Sequence, residues 1–499
     1  MYRIDNDLLS VQEARILVEN AREAQRILAA FPQEKLDIIV GHIAETAYKH
    51  ARELAIMSQE ETGFGKWQDK YVKNIFASDF LYQKIKDQRV VGVIAEDREN
   101  RTMEIGVPVG VIVALPPSTN PVSTTIYKTL IAIKSGNAII FSPHPKAKKT
   151  IAKVLDLLIR AAEESGLPRG AIGYLQTLAV DGTVALMNHK DTALILITGV
   201  PKMVKAAYSA GKPTIYGGPG NGPAFIERSA DIKGAVADII ASRTFDNGIV
   251  SASEQSIVAE ACIADEVRLE LRKKGAYFMS GQESEQLSKQ FFRADGSLNP
   301  ENVGKSAIEL SRQNGICVPE DTLVLISEQK YVSPNNPYSR EKLCPVLAFY
   351  VEKDWMNACE KCLELLINEG RGHTLVIHSK NESVIREFAL KKPVSRVLVN
   401  TPASLGGIGA TTNLFPALTL GCGAAGGGST SDNVTPWNLI NIRKVGYGVR
   451  QLEDISKVIQ AGEVAETSTT RCSANQSSFE STHDLKELLE RLLEQLKLS

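Results

Sequence analysis

The sequence predicts an α/β protein with two doubly wound parallel-sheet domains, to which a β-hairpin and a C-terminal helix are added. Short apolar strands alternate with helices along two successive stretches of the chain. This alternation is typical of parallel sheets whose two faces are covered by helices. The length of 499 residues also exceeds what one compact core supports, so two or three domains are expected.

The composition restricts the class of partner. Hydrophobic residues make up 43% of the chain, and the formal net charge of −1 gives no basis for binding nucleic acid or an anionic membrane. No apolar run approaches the roughly 20 residues that span a bilayer, and the amino terminus lacks the apolar core of a secretory signal. The seven cysteines are irregularly spaced, which suits a reducing compartment. We therefore expect a cytoplasmic protein.

The amino-terminal part is helical in pattern. Helices are expected over Glu13–Ala30 and Glu34–Glu60, with Pro32 between them. We assign residues 1–88, together with 107–221, to the first domain.

Residues 89–106 have the pattern of a β-hairpin that turns at Asp97–Asn100. A strand within Asn441–Arg450 is expected to return to it, so residues 437–452 are grouped with the hairpin. A hairpin with two exposed edges is not expected to stand alone in water. We therefore expect it to pair across a subunit boundary in a homodimer or homotetramer.

The first strand–helix series follows the hairpin. Its predicted strands are Val109–Leu115, Asn137–Phe141, Ile172–Gln176, Ala193–Ile197 and Thr214–Tyr216. Doubly wound sheets bind ligands at the carboxyl ends of their strands. The loops Pro116–Pro121, Ser142–Pro145 and Thr198–Pro201 all fall at those ends.

The second series is assigned to a separate α/β domain of residues 222–436. Its predicted strands are Ala224–Glu227, Ser256–Glu260, Leu323–Ser327, Val346–Val351, Thr374–His378 and Val397–Asn400. Cys359 and Cys362 lie in a predicted helix over Asp354–Asn368, where two residues on one helix face explain their spacing better than a zinc site does. With the histidines also scattered, we predict no metal.

The C-terminal segment differs in composition. Residues 463–482 are rich in Ser, Thr, Asn and Gln, which predicts a flexible linker. Residues 483–499 predict an amphipathic helix with a leucine face. A leucine-faced helix on a polar tether is expected to dock onto a partner, or else to form a coiled coil or subunit contact.

The segment Phe245–Ser256 resembles the nucleophile segment of CoA-acylating aldehyde dehydrogenases, in which a cysteine stands at the place of Ser251. The resemblance runs from about Val107 to Arg450 over several motifs in the same order. It implies an aldehyde-dehydrogenase-like fold, in which residues 1–88 and 107–221 form the dinucleotide-binding domain and residues 222–436 the catalytic domain. It also implies conversion of a short-chain aldehyde, acetaldehyde or propionaldehyde, with CoA and NAD to acyl-CoA and NADH through a covalent acyl-enzyme.

The motif Pro116–Pro121 resembles the loop whose asparagine, here Asn120, helps to form an oxyanion hole. The amide can donate to the oxygen that becomes negative when the nucleophile attacks. The alternative is that Asn120 merely starts the helix at Pro121. With Ser251 in the same chain, we favour the oxyanion role.

The resemblance assigns several residues to cofactor binding. Thr198, Gly199 and Val200 open a helix after a strand, where backbone N–H groups can hold a diphosphate. The other residues are Ser142, Pro143 and His144 along the adenosine ribose, Gly217 and Gly218, and Glu341 on the nicotinamide ribose. Ser142 leaves the choice between NAD and NADP open, and Glu341 alone could be a surface residue before a strand.

The segment Tyr216–Asn221 separates the acylating from the hydrolytic branch. Hydrolytic relatives carry a glutamate at this strand end, which directs water to the thioester; this chain has no acidic residue until Glu227. Without that base the thioester survives until a thiol arrives, and coenzyme A would be that thiol. The alternative is that its Gly-Pro-Gly run is simply a tight turn.

Two further features have both functional and structural interpretations. His373 resembles a histidine of the acylating branch that could accept the CoA thiol proton, but it could equally be a structural residue of a strand. The glycines of Gly421–Gly428 could line a substrate or CoA channel, or form a flexible loop.

Ser251 is the departure from the family pattern. A thiol has a pKa of about 8.5, whereas a serine hydroxyl is far harder to ionise and needs a dedicated base. We therefore expect this chain to be inactive or very slow. Two explanations are open, a Cys→Ser substitution engineered to trap ligands and a natural inactive copy, and the intact remaining motifs favour the first.

The C-terminal helix resembles the encapsulation peptides of bacterial microcompartment enzymes, which implies a shell protein or another cargo enzyme as its partner.

Two alternatives to a CoA-acylating aldehyde dehydrogenase are kept for the whole chain. One is a catalytically silent cargo or scaffold protein of the same fold. The other is a hydrolytic aldehyde dehydrogenase, which the missing glutamate disfavours.

Overall fold

The computed structural model describes residues 5–199 and 201–454, with only the backbone of Pro201. The predicted linker 463–482 and helix 483–499 lie outside the described residues. The described residues form two compact units, 5–95 with 104–443 and 96–103 with 444–454, and both large sheets belong to the first.

The helices cover both faces of the sheets. They are α1 (Asn6–Leu28), α2 (Gln33–Lys49), α3 (Ala51–Thr62), α4 (Trp67–Ile75), α5 (Leu81–Ile85), α6 (Pro121–Lys134), α7 (Lys148–Glu164), α8 (Val180–Asn188), α9 (Pro201–Ser209), α10 (Ile232–Thr244), α11 (Ala264–Lys273), α12 (Gly281–Phe291), α13 (Ala307–Gln313), α14 (Trp355–Asn368), α15 (Glu382–Lys391) and α16 (Ala403–Gly407). In the described part of the chain, none of them combines the length and apolar character of a membrane span.

The strands are short and mostly buried. They are β1 (Gly92–Asp97), β2 (Thr102–Pro108), β3 (Val111–Leu115), β4 (Ala138–Phe141), β5 (Ile172–Tyr174), β6 (Thr192–Thr198), β7 (Thr214–Gly217), β8 (Pro223–Ile226), β9 (Ser256–Glu260), β10 (Ala276–Phe278), β11 (Val324–Glu328), β12 (Val346–Glu352), β13 (Gly372–His378), β14 (Val394–Val399) and β15 (Ile440–Gly446).

The first large sheet has the order β5-β4-β3-β6-β7 and is parallel throughout. Val113 in β3 pairs with Ile140 on one side and Ile195 on the other, and all three side chains are buried. The chain proceeds outward from β3 and then returns to β6, so these two strands flank the point where the direction reverses. Ligand crevices in doubly wound sheets open at that point.

The second large sheet has the order β10-β11-β12-β9-β8-β13-β14 and is also parallel. Its central strand β9 begins at Ser256, which pairs with Pro223 and Ala348. Ser251 lies just before β9, so the nucleophile position is at the amino ends of these strands. The predicted α/β class with two parallel sheets is confirmed.

One of three details differs from the sequence prediction, and the other two agree with it. The helix predicted over Glu34–Glu60 is two helices, α2 and α3, which meet at His50. The strand predicted within Asn441–Arg450 is β15, which completes a three-stranded sheet of order β1-β2-β15. Cys359 and Cys362 are buried on one side of α14, as two residues of a helix face.

Candidate active site

The nucleophile position and the predicted histidine are in direct contact. Ser251 is half-buried in the turn before β9, and its Oγ lies 3.1 Å from Nε2 of His373. His373 is buried near the start of β13, with Nδ1 3.0 Å from Oγ1 of Thr374. Two motifs that are 122 residues apart in sequence therefore form one pair.

The surroundings of His373 keep its imidazole neutral. Burial, and then the charge of Arg396, lower the pKa of His373 to about 3. Arg396 Nε donates to Thr374 Oγ1 at 3.2 Å, so a guanidinium stands behind the imidazole where a serine–histidine–aspartate triad has a carboxylate. Because this charge disfavours the imidazolium, His373 is a weak base for a serine hydroxyl.

The segment after Ser251 is held by a buried arginine. Arg243 Nη1 donates to Ser253 Oγ, and Nη2 donates to Gln255 Oε1, both at 2.9 Å. These bonds fix the turn between the nucleophile position and β9. Sequence reasoning gave Arg243 no role, because an arginine in a helix ordinarily faces solvent.

Asn120 directly precedes α6, but its side chain is directed elsewhere. Among the described residues, it makes no capping hydrogen bond to the helix. Its Oδ1 instead accepts a hydrogen bond from Nζ of Lys73 in α4. Helix initiation alone therefore does not account for Asn120. Its amide nitrogen makes one long hydrogen bond, 3.5 Å to Oγ1 of Thr119.

Lys73 belongs to a buried ionic cluster that the sequence did not reveal. Lys70, Lys73 and Asp246 are all buried, and both lysines contact Oδ2 of Asp246. Two lysines three residues apart resemble a solvated helix face, and only the position of Asp246 inside the nucleophile motif gave a signal.

Glu341 lies against the backbone that follows β7. Its Oε1 accepts from Gly220 N at 2.9 Å. A Cβ on Gly220 would lie 1.7 Å from the carbonyl oxygen of Ser251, so only glycine fits there. Burial and the nearby Glu369 raise the pKa of Glu341 to about 8. The structure thus brings Glu341 next to the nucleophile turn.

The predicted diphosphate loop meets the oxyanion loop. Gly199 N donates to Gly217 O at 3.4 Å, and a Cβ on Gly199 would lie 3.1 Å from Cβ of Pro117. Thr198 Oγ1 is 2.6 Å from Oγ1 of Thr419. Val200 lies outside the described residues.

The residues predicted along the adenosine ribose follow β4 and are not part of the Ser251 pair. Ser142 is buried, and its Oγ is 2.7 Å from Oγ1 of Thr183. Pro143 is buried, and His144 is half-buried, with Nδ1 accepting from Lys146 N at 3.1 Å. Burial and Lys146 lower the pKa of His144.

The glycine-rich segment Gly421–Gly428 packs against the other site loops. Gly421 bridges to Gly217, and Gly218 N donates to Cys422 Sγ at 3.3 Å. Arg396 of β14 donates from Nη2 to Gly421 O at 2.6 Å and from Nε to Thr374 of β13, so it links the segment to the strand that carries His373. Over 5–199 and 201–454, no group of three or more His, Cys, Asp or Glu side chains is placed to hold a metal ion.

Comparison with known proteins identifies relatives along most of the chain. The model of the aldehyde dehydrogenase family matches residues 7–289. The chain is 43% identical over 441 residues to the bifunctional aldehyde-alcohol dehydrogenase AdhE of Escherichia coli strain K12, which covers 87% of this chain and 49% of that protein. It is 35% identical over 431 residues to succinate-semialdehyde dehydrogenase (acetylating) of Clostridium kluyveri, covering 86% of this chain and 95% of that protein. The chain thus spans about half the length of the first curated relatives it matches.

Solved structures with the same fold include a probable aldehyde dehydrogenase of Listeria monocytogenes EGD-e, with TM-score 0.89 and 56% identity over 91% of this chain and 100% of that one. An acetylating aldehyde dehydrogenase of Geobacillus thermoglucosidasius has TM-score 0.88 and 46% identity, covering 90% of this chain and 99% of that one. A propionaldehyde dehydrogenase from the fucose utilisation bacterial microcompartment of Clostridium phytofermentans has TM-score 0.78 and 29% identity, covering 87% of this chain and 97% of that one.

Proposed function

The chain belongs to the aldehyde dehydrogenase family, and on that basis we propose that it has the site of a CoA-acylating aldehyde dehydrogenase. The reaction is the reversible oxidation of a short-chain aldehyde, acetaldehyde or propionaldehyde, with CoA and NAD to acyl-CoA and NADH. One observation carries the proposal: position 251 contacts His373, while the end of β7 holds Tyr216 and glycines where a hydrolytic enzyme has its glutamate. The acetylating enzymes among the relatives support it.

The chain's own residues supply each step. The nucleophile at position 251 attacks the aldehyde carbon, and the Asn120 amide nitrogen donates to the oxygen that becomes negative. Bound NAD would accept the hydride that leaves the resulting adduct. A thiol is far more acidic than a serine hydroxyl, so even the weak base His373 can take the CoA thiol proton while the sulfur attacks the acyl group and the nucleophile at position 251 leaves. Without a glutamate at the end of β7, water is a poor competitor for the acyl group.

The residues proposed to hold the dinucleotide have groups suited to it. Gly199 has no side chain, so its backbone lies close to Pro117. Pro117 follows β3, beside the point where the strand order of the first sheet reverses. Glu341 offers a carboxyl group next to the nucleophile turn for the nicotinamide ribose hydroxyls. Ser142, Pro143, His144, Thr198, Val200, Gly217 and Gly218 complete the proposed cofactor set. The proposed dinucleotide-binding domain, 1–88 with 107–221, and the proposed catalytic domain, 222–436, each contribute to it.

With Ser251 in place, we expect very slow turnover. The second candidate is a catalytically silent cargo or scaffold protein, which the weak base at His373 favours. The test is an assay of NADH formation by the Ser251→Cys chain with aldehydes of increasing length, with and without CoA. CoA-dependent NADH supports the dehydrogenase, NADH formation independent of CoA supports a hydrolytic enzyme, and no NADH with any aldehyde supports the silent protein.

The affinity for NAD should depend on the charge of Glu341. Its pKa is raised from 4.5 to about 8, so below that pH the carboxyl is largely protonated and must lose its proton to accept two ribose hydroxyls fully. The dissociation constant for NAD should therefore fall as pH rises towards about 8, by at most about tenfold per pH unit, and then level off. Titration calorimetry at a series of pH values measures this.

The matched control is Glu341→Gln, which keeps the shape of the side chain and removes its titration. Above pH 8 it should bind NAD more weakly than the parent. Below pH 8 its affinity for NAD should not increase with pH, as that of the parent does. Parallel pH profiles for the two proteins would contradict the assignment of Glu341 to the cofactor.

The proposed partners are copies of this chain and a microcompartment component. The hairpin of 89–106 is proposed to pair between subunits in a homodimer or homotetramer. Residues 483–499 are proposed to bind a shell or cargo protein inside a bacterial microcompartment in the cytoplasm. The microcompartment origin of the Clostridium phytofermentans neighbour supports this location.

Deletion of residues 464–499 should leave the core folded and abolish co-purification with microcompartment shells. The two large sheets lie within residues 111–399, so the deletion removes no strand of either sheet. Circular dichroism checks the fold, and isolation of shells from cells that make both components checks the association. A truncated protein that no longer folds would contradict the assignment of this segment to targeting.

A further inference from the structure

Two lysines and one aspartate are buried together between α4 and the nucleophile motif. The side chains of Lys70, Lys73 and Asp246 are 4%, 2% and 0% exposed. Lys70 Nζ lies 3.0 Å from Asp246 Oδ2, and Lys73 Nζ contacts the same oxygen. The carboxylate of Asp69, which is partly exposed, also acts on Lys70. Burying charged groups is costly even when they are paired, so this cluster calls for a reason beyond packing.

Both lysines also contact the oxyanion loop. Lys70 Nζ donates to the carbonyl oxygen of Thr119 at 3.0 Å, and Lys73 Nζ donates to Oδ1 of Asn120. An ammonium group has donors only, so it can face the amide oxygen but not the amide nitrogen. Lys73 therefore fixes which way the Asn120 amide points. Its Nδ2 keeps one long bond, 3.5 Å to Oγ1 of Thr119, and is available to a substrate oxygen.

Asp246 connects the cluster to the nucleophile turn. Its backbone, with φ of 47°, is in the left-handed region that non-glycine residues rarely adopt. Both the side chain and the backbone of Asp246 are hydrogen-bonded to α4 or to the residue before it. Lys66 N donates to Asp246 Oδ1 at 2.6 Å, and Asp246 N donates to Asp69 Oδ2 at 2.8 Å. Position 251 lies five residues further on, so α4 links the nucleophile turn to the loop that carries Asn120.

We propose that Lys73, supported by Lys70 and Asp246, is a positioning residue that orients and polarises the Asn120 amide for the oxyanion. This deepens the proposed function and rests on the same site. A positive charge on Oδ1 draws electrons from the amide and makes Nδ2 a stronger donor. If the cluster were only a brace for α4, its removal would lower stability without acting through Asn120.

The test is a double-mutant cycle of Lys73→Met and Asn120→Ala in the Ser251→Cys chain. Two readouts are measured: kcat and KM of CoA-dependent aldehyde oxidation, and cleavage of p-nitrophenyl acetate without NAD or CoA. Ester cleavage needs the nucleophile and the oxyanion site only, so it reports on Lys73 even if the proposed dehydrogenase activity is missing. Lys73→Met alone should lower kcat on the order of tenfold to 100-fold, with KM values little changed.

In the Asn120→Ala background, the same Lys73 substitution should change kcat by less than about twofold, because two residues that act through one interaction are not additive. Lys73→Arg, which keeps the charge, is the second variant in case Lys73→Met does not fold. It should retain more ester cleavage than Lys73→Gln. Additive effects in the cycle, equal rates for the arginine and glutamine variants, or no ester cleavage by the Ser251→Cys chain would overturn the proposal.

Discussion

Replacing Ser251 by cysteine should raise the rate of CoA-dependent NADH formation by on the order of 10³-fold or more. A thiol with a pKa of about 8.5 is partly ionised at neutral pH, and a thiolate is a strong nucleophile without help from a base. The serine hydroxyl depends on His373, whose pKa of about 3 makes it a weak base. The initial rate of NADH formation with acetaldehyde or propionaldehyde plus CoA measures the difference.

Ser251→Ala is the matched control for this comparison. If the hydroxyl contributes nothing, the alanine variant and the parent chain should be equally slow, and all the gain belongs to the sulfur. If the parent is much faster than the alanine variant, the Ser251–His373 pair is itself active, and the expectation of a very slow enzyme is wrong. Binding of NAD and CoA should be the same in all three proteins, since none of the changes touches the proposed cofactor residues.

The sheets were predictable because their strands are buried on both faces. The sequence shows each one as a short apolar run, and β9 begins and ends where the pattern predicted, at Ser256 and Glu260. The edge strand β10, Ala276–Phe278, was not predicted from the sequence. The break between α2 and α3 escaped because neither glycine nor proline stands at His50 and the apolar periodicity continues across it.

The motifs gave the positions of the candidate site but not its electrostatics. Ser251 and His373 were both identified, but their contact depends on the order of strands β9, β8 and β13, which no local pattern specifies. Arg396 and the lysines of α4 were missed for another reason. A charged side chain is read as solvent-facing unless the sequence shows its partner, and these partners lie far away along the chain.

Substituting Asn120 by alanine in the Ser251→Cys chain should lower kcat by about 10²-fold to 10³-fold, with KM for the aldehyde little changed. Loss of one oxyanion donor typically costs about 3 to 4 kcal/mol in the transition state, and little of that is felt before the oxygen becomes negative. Because Lys73 contacts Oδ1, Nδ2 is the atom of the amide that can donate to the reacting oxygen. Steady-state kinetics with saturating NAD and CoA measures the effect.

The Asn120→Asp variant removes the hydrogen-bond donor of the side chain while it keeps the shape of the side chain. The aspartate keeps the size of the side chain and can pair with Lys73, so the loop should stay in place. It presents an acceptor where the oxyanion needs a donor, and a negative charge there repels the developing one. We therefore expect the aspartate variant to be at least as slow as the alanine variant while remaining as stable as the parent. An aspartate variant close to full activity would mean that Asn120 only shapes the start of α6, and that the negative charge is stabilised elsewhere.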